Sequence, residues 1–486
     1  MSRQPVGGHA ATRPVRGDPP ATTQSWIVLA LVCAGQFMVI LDASIVNVAL
    51  PSIQRDLGFS STSLAWVVNG YLLTFAGFML LGGRAADLLG HRRMLVAGLL
   101  VFAAASLAAG LASVPAVLVT ARVAQGAGAA LLAPATLAVI NTRFTEPHAR
   151  ARAFGAWSAA GGVGGMAGAV AGGALTTGLS WRWVFLINVP IGAVLIAAAL
   201  MSLTGTRTVR REPLDLAGAI TGTAGLAALM YGIMHAADHG WTSLAVLGPA
   251  GVGLLLLVAF TFVQARVAAR PMMPLRLFTI RRVAIGNVLL LLFGGIAIAM
   301  WYFTSLFLQN VLGYSALGAG LGQTPAAVMF AVVARIAATL LPRAGMRPLA
   351  LAGGGALLAG FGWLAQAGAG SGYLACVLGP TLLIAVGIGL TFPTLMAAAT
   401  ADAPADDAGI VGGLANTANQ VGGSIGLAVL ATAASATVTA GTGAATPAAL
   451  AAGYDLVFLI AAGLALAIAV VSVLLGRAPG RPEAGG

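Results

Sequence analysis

Leu41-Asp42-Ala43-Ser44-Ile45-Val46-Asn47-Val48-Ala49-Leu50-Pro51 closes an apolar run that begins at Trp26, and it sets a carboxylate inside that run. A charge at the centre of a membrane helix costs about 2.5–3.5 kcal/mol on insertion scales, so a sequence that keeps one there generally uses it. The expectation is that Asp42 takes up and releases a proton while the rest of the chain moves a substrate.

The whole chain has the composition of a protein dissolved in lipid. Of its 486 residues 59% are hydrophobic and only 8% charged, and the mean hydropathy is +0.95. A water-soluble surface of this size needs more charge. All 25 basic residues are arginine. The absence of lysine excludes a Walker-type phosphate loop and a Schiff base, so the energy source expected is a proton gradient, with no cofactor. The net charge of +12 is carried by short loops between apolar runs, which points to the membrane rather than to nucleic acid. Cys33 and Cys376 both lie in apolar segments and read as packing. Residues 1–25, rich in Pro, Arg and Thr, read as a disordered cytoplasmic tail followed by a retained helix.

A spanning helix needs about 20 apolar residues. Such segments fall near 26–50, 64–82, 94–112, 116–140, 153–177, 183–203, 216–235 and 244–264, then near 283–308, 316–340, 349–367, 373–397, 409–433 and 455–475. Fourteen spans with an inner amino terminus put 22 arginines on the inner side and only Arg55 and Arg182 outside, with Arg122 inside a helix. That asymmetry supports both the even count and two cytoplasmic termini. One inner loop, with Asp402, Asp406 and Asp407, has no arginine.

Gly90-His91-Arg92-Arg93-Met94, with Gly98, resembles Gly345-Met346-Arg347-Pro348-Leu349, with Gly353, at an offset of 255 residues. The domains expected are a tail (1–25), a six-helix bundle (26–204), a linker carrying an extra transmembrane hairpin (205–282), a second six-helix bundle (283–475) and a cytoplasmic tail (476–486). Parallel halves of this kind are a known transporter plan. At this offset Asp42 faces Ala297 and Arg122 faces Val377, so the ionisable pair belongs to the first half alone.

Asp42 lies nine residues before Pro51, read as the outer end of the first helix, hence ~13 Å down. Arg122 lies six residues into the fourth helix, hence ~9 Å down. At that shared depth the two charges can meet, and movement of the arginine would shift the proton balance of the carboxylate. Gly126 and Ala130 share a face with Arg122 and admit a close neighbour. Between the second and third segments, Gly83, Asp87, Gly90 and Arg92 read as a tight, charged loop that locks one conformation. Gly164, Gly168 and Gly172 follow four-residue steps on the fifth segment, as a packing or gating face does.

These stretches resemble the major facilitator superfamily, and within it the fourteen-helix drug:proton antiporter family. Leu41 to Pro51 is similar to that family's first-helix motif, with Ser44 in place of the commoner threonine. Gly83 to Arg93 resembles its loop motif, with Leu88 and His91 where basic residues are usual. Arg122 to Ala130 resembles the fourth-helix motif linked to proton coupling. Gly164 to Gly173 resembles the antiporter motif, with Ala169 replacing its proline. Trp181 to Pro190 and Gly412 to Gly423 are also similar. The resemblance spans residues 26–475 and implies an all-α major-facilitator fold. It further implies proton-coupled efflux of a drug or antibiotic across a bacterial inner membrane by alternating access, by a secondary transporter rather than an enzyme.

Gln36, Asn47, Trp301, Tyr302, Asn416, Asn419 and Gln420 are the candidates for a substrate cavity, because lipid would penalise polar groups that face it. Aromatic residues and few charges suit a hydrophobic or cationic compound. A monomer is expected. The rival readings are an exporter or symporter of a metabolite or siderophore, and an integral-membrane enzyme for which only His235, Asp238 and His239 come close to a reactive group.

Overall fold

Without water to solvate the backbone, each apolar segment must bond its own N–H and C=O groups. The computed structural model describes residues 23–475 apart from 61, 145, 204–214, 269–270, 369, 371, 404–407 and 442–445, and its regular structure is all helical. The expected tails lie outside the described residues except for 23–25.

The helices are α1 (Thr23–Leu57), α2 (Trp66–Leu89), α3 (His91–Gly110), α4 (Pro115–Arg143), α5 (Pro147–Gly178), α6 (Trp183–Leu186), α7 (Asn188–Ser202), α8 (Leu216–His239) and α9 (Leu244–Phe262). They continue with α10 (Arg281–Ile298), α11 (Thr304–Leu306), α12 (Ala316–Ala344), α13 (Met346–Leu364), α14 (Gly379–Thr400), α15 (Ala408–Gly441) and α16 (Pro447–Ser472). Two pairs are continuous rods, α6 with α7 over Trp183–Ser202 and α10 with α11 over Arg281–Val311, which leaves fourteen rods among the described residues. Eleven are long and apolar enough to cross a membrane by length and composition; α2, α5 and α13 fall short of that measure.

The two halves pack alike. In the first, α1 lies on α5, and α4 lies on both α2 and α3; in the second, α10 lies on α15, and α14 on both α12 and α13. The repeated glycines explain part of this. Gly90 (φ 95) is the sole break between α2 and α3, and Gly345 (φ 80) is the sole break between α12 and α13. Both need a positive φ that a side chain disfavours. One turn or two further on, Gly98 meets the backbone of Gly128, and Gly353 meets the backbone of Gly387. Of the inserted pair, α8 lies along the seam between halves, against α2 and α15, and α9 packs on α8. Asn69 of α2 donates to Met234 Sδ at 3.8 Å, and Thr432 of α15 donates to the Ile233 carbonyl at 3.1 Å.

At the end where α5 finishes and α12 begins, the halves are in close contact. Thr177 Oγ1 accepts from the Leu317 amide at 3.2 Å, and a Cβ on Gly173 would lie 2.7 Å from the Ala316 carbonyl oxygen. Asp56 at the end of α1 accepts from Trp181 Nε1 at 2.9 Å and from Arg182 at 2.7 Å. The acidic loop without arginine borrows one from its neighbour: Arg282 pairs with Asp402 at 3.2 Å.

Two expectations are corrected. Pro51 does not end the first helix, which continues to Leu57 with the proline inside it. Gly83 is not in a turn either, since α2 runs on to Leu89. Hydropathy marks where apolar residues stop, whereas the helix propagates further as long as its backbone bonds are made.

Candidate functional site

Arg122 stands on α4, and α4 packs on both α1 and α2. Small residues make this possible. A Cβ on Gly126 would run into Thr74 Oγ1 and the Tyr71 carbonyl, and one on Gly82 would run into the Ala130 carbonyl. The backbones of α2 and α4 therefore nearly touch, and the long Arg122 side chain is enclosed rather than excluded.

Arg122 NH1 donates to Asp42 Oδ2 at 2.6 Å. Both side chains are fully enclosed, at 1% and 0% exposure. Such a pair must be supported by further hydrogen bonds, because desolvation would otherwise outweigh the attraction. Those bonds are present. Gln125, one turn along α4, donates through Nε2 to Asp42 Oδ1 at 2.6 Å and accepts from Arg122 NH1 at 2.7 Å. The same Nε2 donates to Ser106 Oγ of α3 at 2.8 Å. Asn188 of α7 donates to Asp42 Oδ1 at 2.8 Å. Arg122 Nε donates to the Val67 carbonyl at 2.8 Å, and its guanidinium lies 4.4 Å over the Tyr71 ring and 5.7 Å from that of Phe185.

Asp42 thus receives three N–H donors and offers none, the arrangement that suits an ionised, acceptor-only carboxylate. A proton on Asp42 would add an O–H where donors already point. The cluster draws on α1, α2, α3, α4, α6 and α7, so a change at one carboxyl reaches most of the first bundle. Gln125, Asn188, Ser106 and Tyr71 were not among the sequence candidates. Gln125 is legible as the residue one turn from Arg122; Asn188 lies inside an apolar run whose periodicity does not single it out.

The other candidates are dispersed. Gly164, Gly168 and Gly172 face α1, where a Cβ would lie 2.8 Å from the Phe37 carbonyl oxygen, 2.7 Å from Ser44 Cβ and 2.6 Å from the Ile45 carbonyl oxygen. Ser44 Oγ crosses the same contact to donate to the Gly165 carbonyl at 2.7 Å. Gly90 is the α2–α3 break, and Arg92 donates to the Leu200 carbonyl at the end of α7 at 2.9 Å. The Asp87 side chain lies outside the described residues.

Gln36 sits beside Gly161 of α5, and Gln36 Oε1, Asn47 Oδ1 and Asn419 Oδ1 are buried without a partner. Asn416 donates to Met79 Sδ at 3.5 Å across the two halves. The Trp301 carbonyl accepts from Gln323 at 3.3 Å. Tyr302 is packed edge-on to Phe303 in the core at 1% exposure, so no free wall is formed by its ring. Gln420 is half-buried on α15.

Among the described residues, twelve helical rods in two like halves, an inserted pair and a buried charge cluster in the first half have the plan of a polytopic transporter. The chain belongs to the Major Facilitator Superfamily, whose family model matches residues 32–427. It is 44% identical to the cephamycin export protein CmcT of Amycolatopsis lactamdurans over 94% of each chain. It is 38% identical to the puromycin resistance protein pur8 of Streptomyces alboniger, over 98% of this chain and 94% of the other. Among solved structures, a D-xylose-proton symporter superposes with a TM-score of 0.65 at 13% identity, covering 91% of this chain and 97% of that one, a likeness of fold alone.

Proposed function

We propose that the chain exports an antibiotic or a chemically similar compound across the bacterial plasma membrane in exchange for protons, with Asp42 as the proton carrier. The observation that carries this reading is the Asp42 carboxylate, wholly enclosed among spanning helices and held by Arg122, Gln125 and Asn188. Relatives named for cephamycin export and puromycin resistance support the direction and the class of cargo.

The amino terminus is taken as cytoplasmic, because the arginines gather on that side, and the α5–α12 contact is then the closed outer end. A proton reaching Asp42 removes the counter-charge of Arg122 and leaves too few acceptors for the donors around it. The first bundle relaxes, the halves rock, and cargo leaves outward; loss of the proton inward restores the pair. The unpaired oxygens of Gln36, Asn47 and Asn419 offer acceptors to an N–H or ammonium group of the cargo, and Trp301 offers an aromatic surface. The chain works as a monomer with both termini inside.

Expression in a drug-sensitive host, with susceptibility read across a panel that includes cephamycins and puromycin, tests the cargo. A raised tolerance to at least one of them is expected. Unchanged susceptibility throughout would favour export of a metabolite instead.

A further inference from the structure

Pro51 lies inside α1, six residues before its end. A proline has no N–H, and its ring pushes against the carbonyl four residues earlier. In α1 that carbonyl belongs to Asn47. It is left without its helical donor, inside a segment too apolar for water to replace it.

The missing donor comes from the other half of the molecule. Ser305 Oγ, on α11, donates to the Asn47 carbonyl at 3.2 Å, and Gln309 Nε2 donates to the neighbouring Val48 carbonyl at 3.0 Å. Gln309 also donates to Ser305 Oγ at 3.2 Å, so the two donors act as a unit. Ser305 has no exposed surface. The rod that carries them is widened twice, by π-helical turns at Ala299–Phe303 and Phe307–Val311 that flank α11. Such turns concentrate at sites of function and give a helix a place to change register. Asn47 Oδ1, on the residue whose carbonyl takes the Ser305 bond, is buried without a partner. A permanent interface would be expected to satisfy it.

We infer that the Asn47 carbonyl freed by Pro51, together with Ser305 and Gln309, forms a reversible catch that holds the two halves together at the α5–α12 end. The catch rests on the alternating-access reading above and adds its mechanical link. Asn47 is five residues from Asp42 on one continuous helix, ~7.5 Å along the axis. A shift of α1 when Asp42 changes charge therefore acts directly on the Asn47 and Val48 carbonyls. Opening this end breaks the Ser305 and Gln309 bonds and leaves the rest of α1 intact.

Because proline creates the acceptor, Pro51→Ala removes it by a route that adds no bulk: the new N–H bonds Asn47 within α1. Ser305→Ala removes the donor. Spin labels at Leu179→Cys and Gly372→Cys, both exposed at this end on opposite halves, report the gap in nanodiscs once Cys33 and Cys376 are replaced. Each of Pro51→Ala and Ser305→Ala should raise the long-distance population several-fold, and the double variant should match the singles. Distributions unchanged in both singles, or shifts that add in the double, would overturn the catch. If Ser305→Ala fails to fold, Pro51→Ala decides alone. The measurement needs neither cargo nor a proton gradient, so its failure leaves proton-coupled export standing, and failure of export leaves the catch standing.

Discussion

Gln125 touches Asp42 Oδ1 at 2.6 Å with its amide nitrogen while its amide oxygen receives Arg122 at 2.7 Å. One neutral side chain therefore bonds both members of the buried ion pair. It can stay bonded to one of them when the other lets go. Hydrogen bonds to charged groups are worth about 1.5–3 kcal/mol each. Gln125→Leu should lower the thermal midpoint of the purified protein and strongly reduce gradient-driven efflux. Ser106→Ala, which loses only a bond between neutral groups, should cost about 0.5–1.5 kcal/mol and leave efflux largely intact. Thermal unfolding and vesicle transport of the two variants check this together.

Arg122→Lys should behave as a loss of function rather than a conservative change. The guanidinium reaches the Val67 carbonyl, Asp42 and Gln125 at once and lies flat over Tyr71; an ammonium cannot reproduce that fork. Removing one partner of a buried pair costs about 3–5 kcal/mol. Arg122→Ala should thus be less stable than the double variant Asp42→Asn/Arg122→Gln, which leaves no lone charge. Unfolding midpoints in detergent order the three.

The glycine contacts predict where volume is forbidden. Gly126→Ala and Gly172→Ala press a methyl against backbone of the facing helix, and overpacking of this kind costs about 1–3 kcal/mol. Gly162→Ala, with nothing within 4 Å, should be neutral. Yield of monodisperse protein and its thermal midpoint separate them.

Much of this architecture was legible in the sequence, and the parts that were not share a cause. The Gly90 and Gly345 breaks could be read as repeats because a positive φ leaves few choices of residue. The enclosed Asp42 and Arg122 stood out because lipid makes a charge costly. Asn188 did not, because the group it bonds lies 146 positions away and no local periodicity encodes that pairing. Pro51 misled for a related reason. Proline reads as a helix end, yet α1 runs through it, and the bond that meets the freed Asn47 carbonyl comes from Ser305, 258 positions after Asn47.

Orientation can be tested without transport. In a chain freed of Cys33 and Cys376, a cysteine at Trp241, 60% exposed in the turn after α8, should react with an impermeant maleimide on intact cells. One at Ala344, exposed at the end of α12, should react only after permeabilisation.

The central claim is that Asp42 carries the coupling proton. Its most direct test is drug movement in inside-out vesicles with an imposed proton gradient, comparing the native chain with Asp42→Asn. The asparagine has the shape and neutrality of the protonated carboxyl, with one acceptor oxygen where the carboxylate offers two, and it cannot gain or lose a proton. Gradient-driven transport should be abolished while gradient-independent exchange of the same drug persists. Undiminished gradient-driven transport by Asp42→Asn would contradict the account.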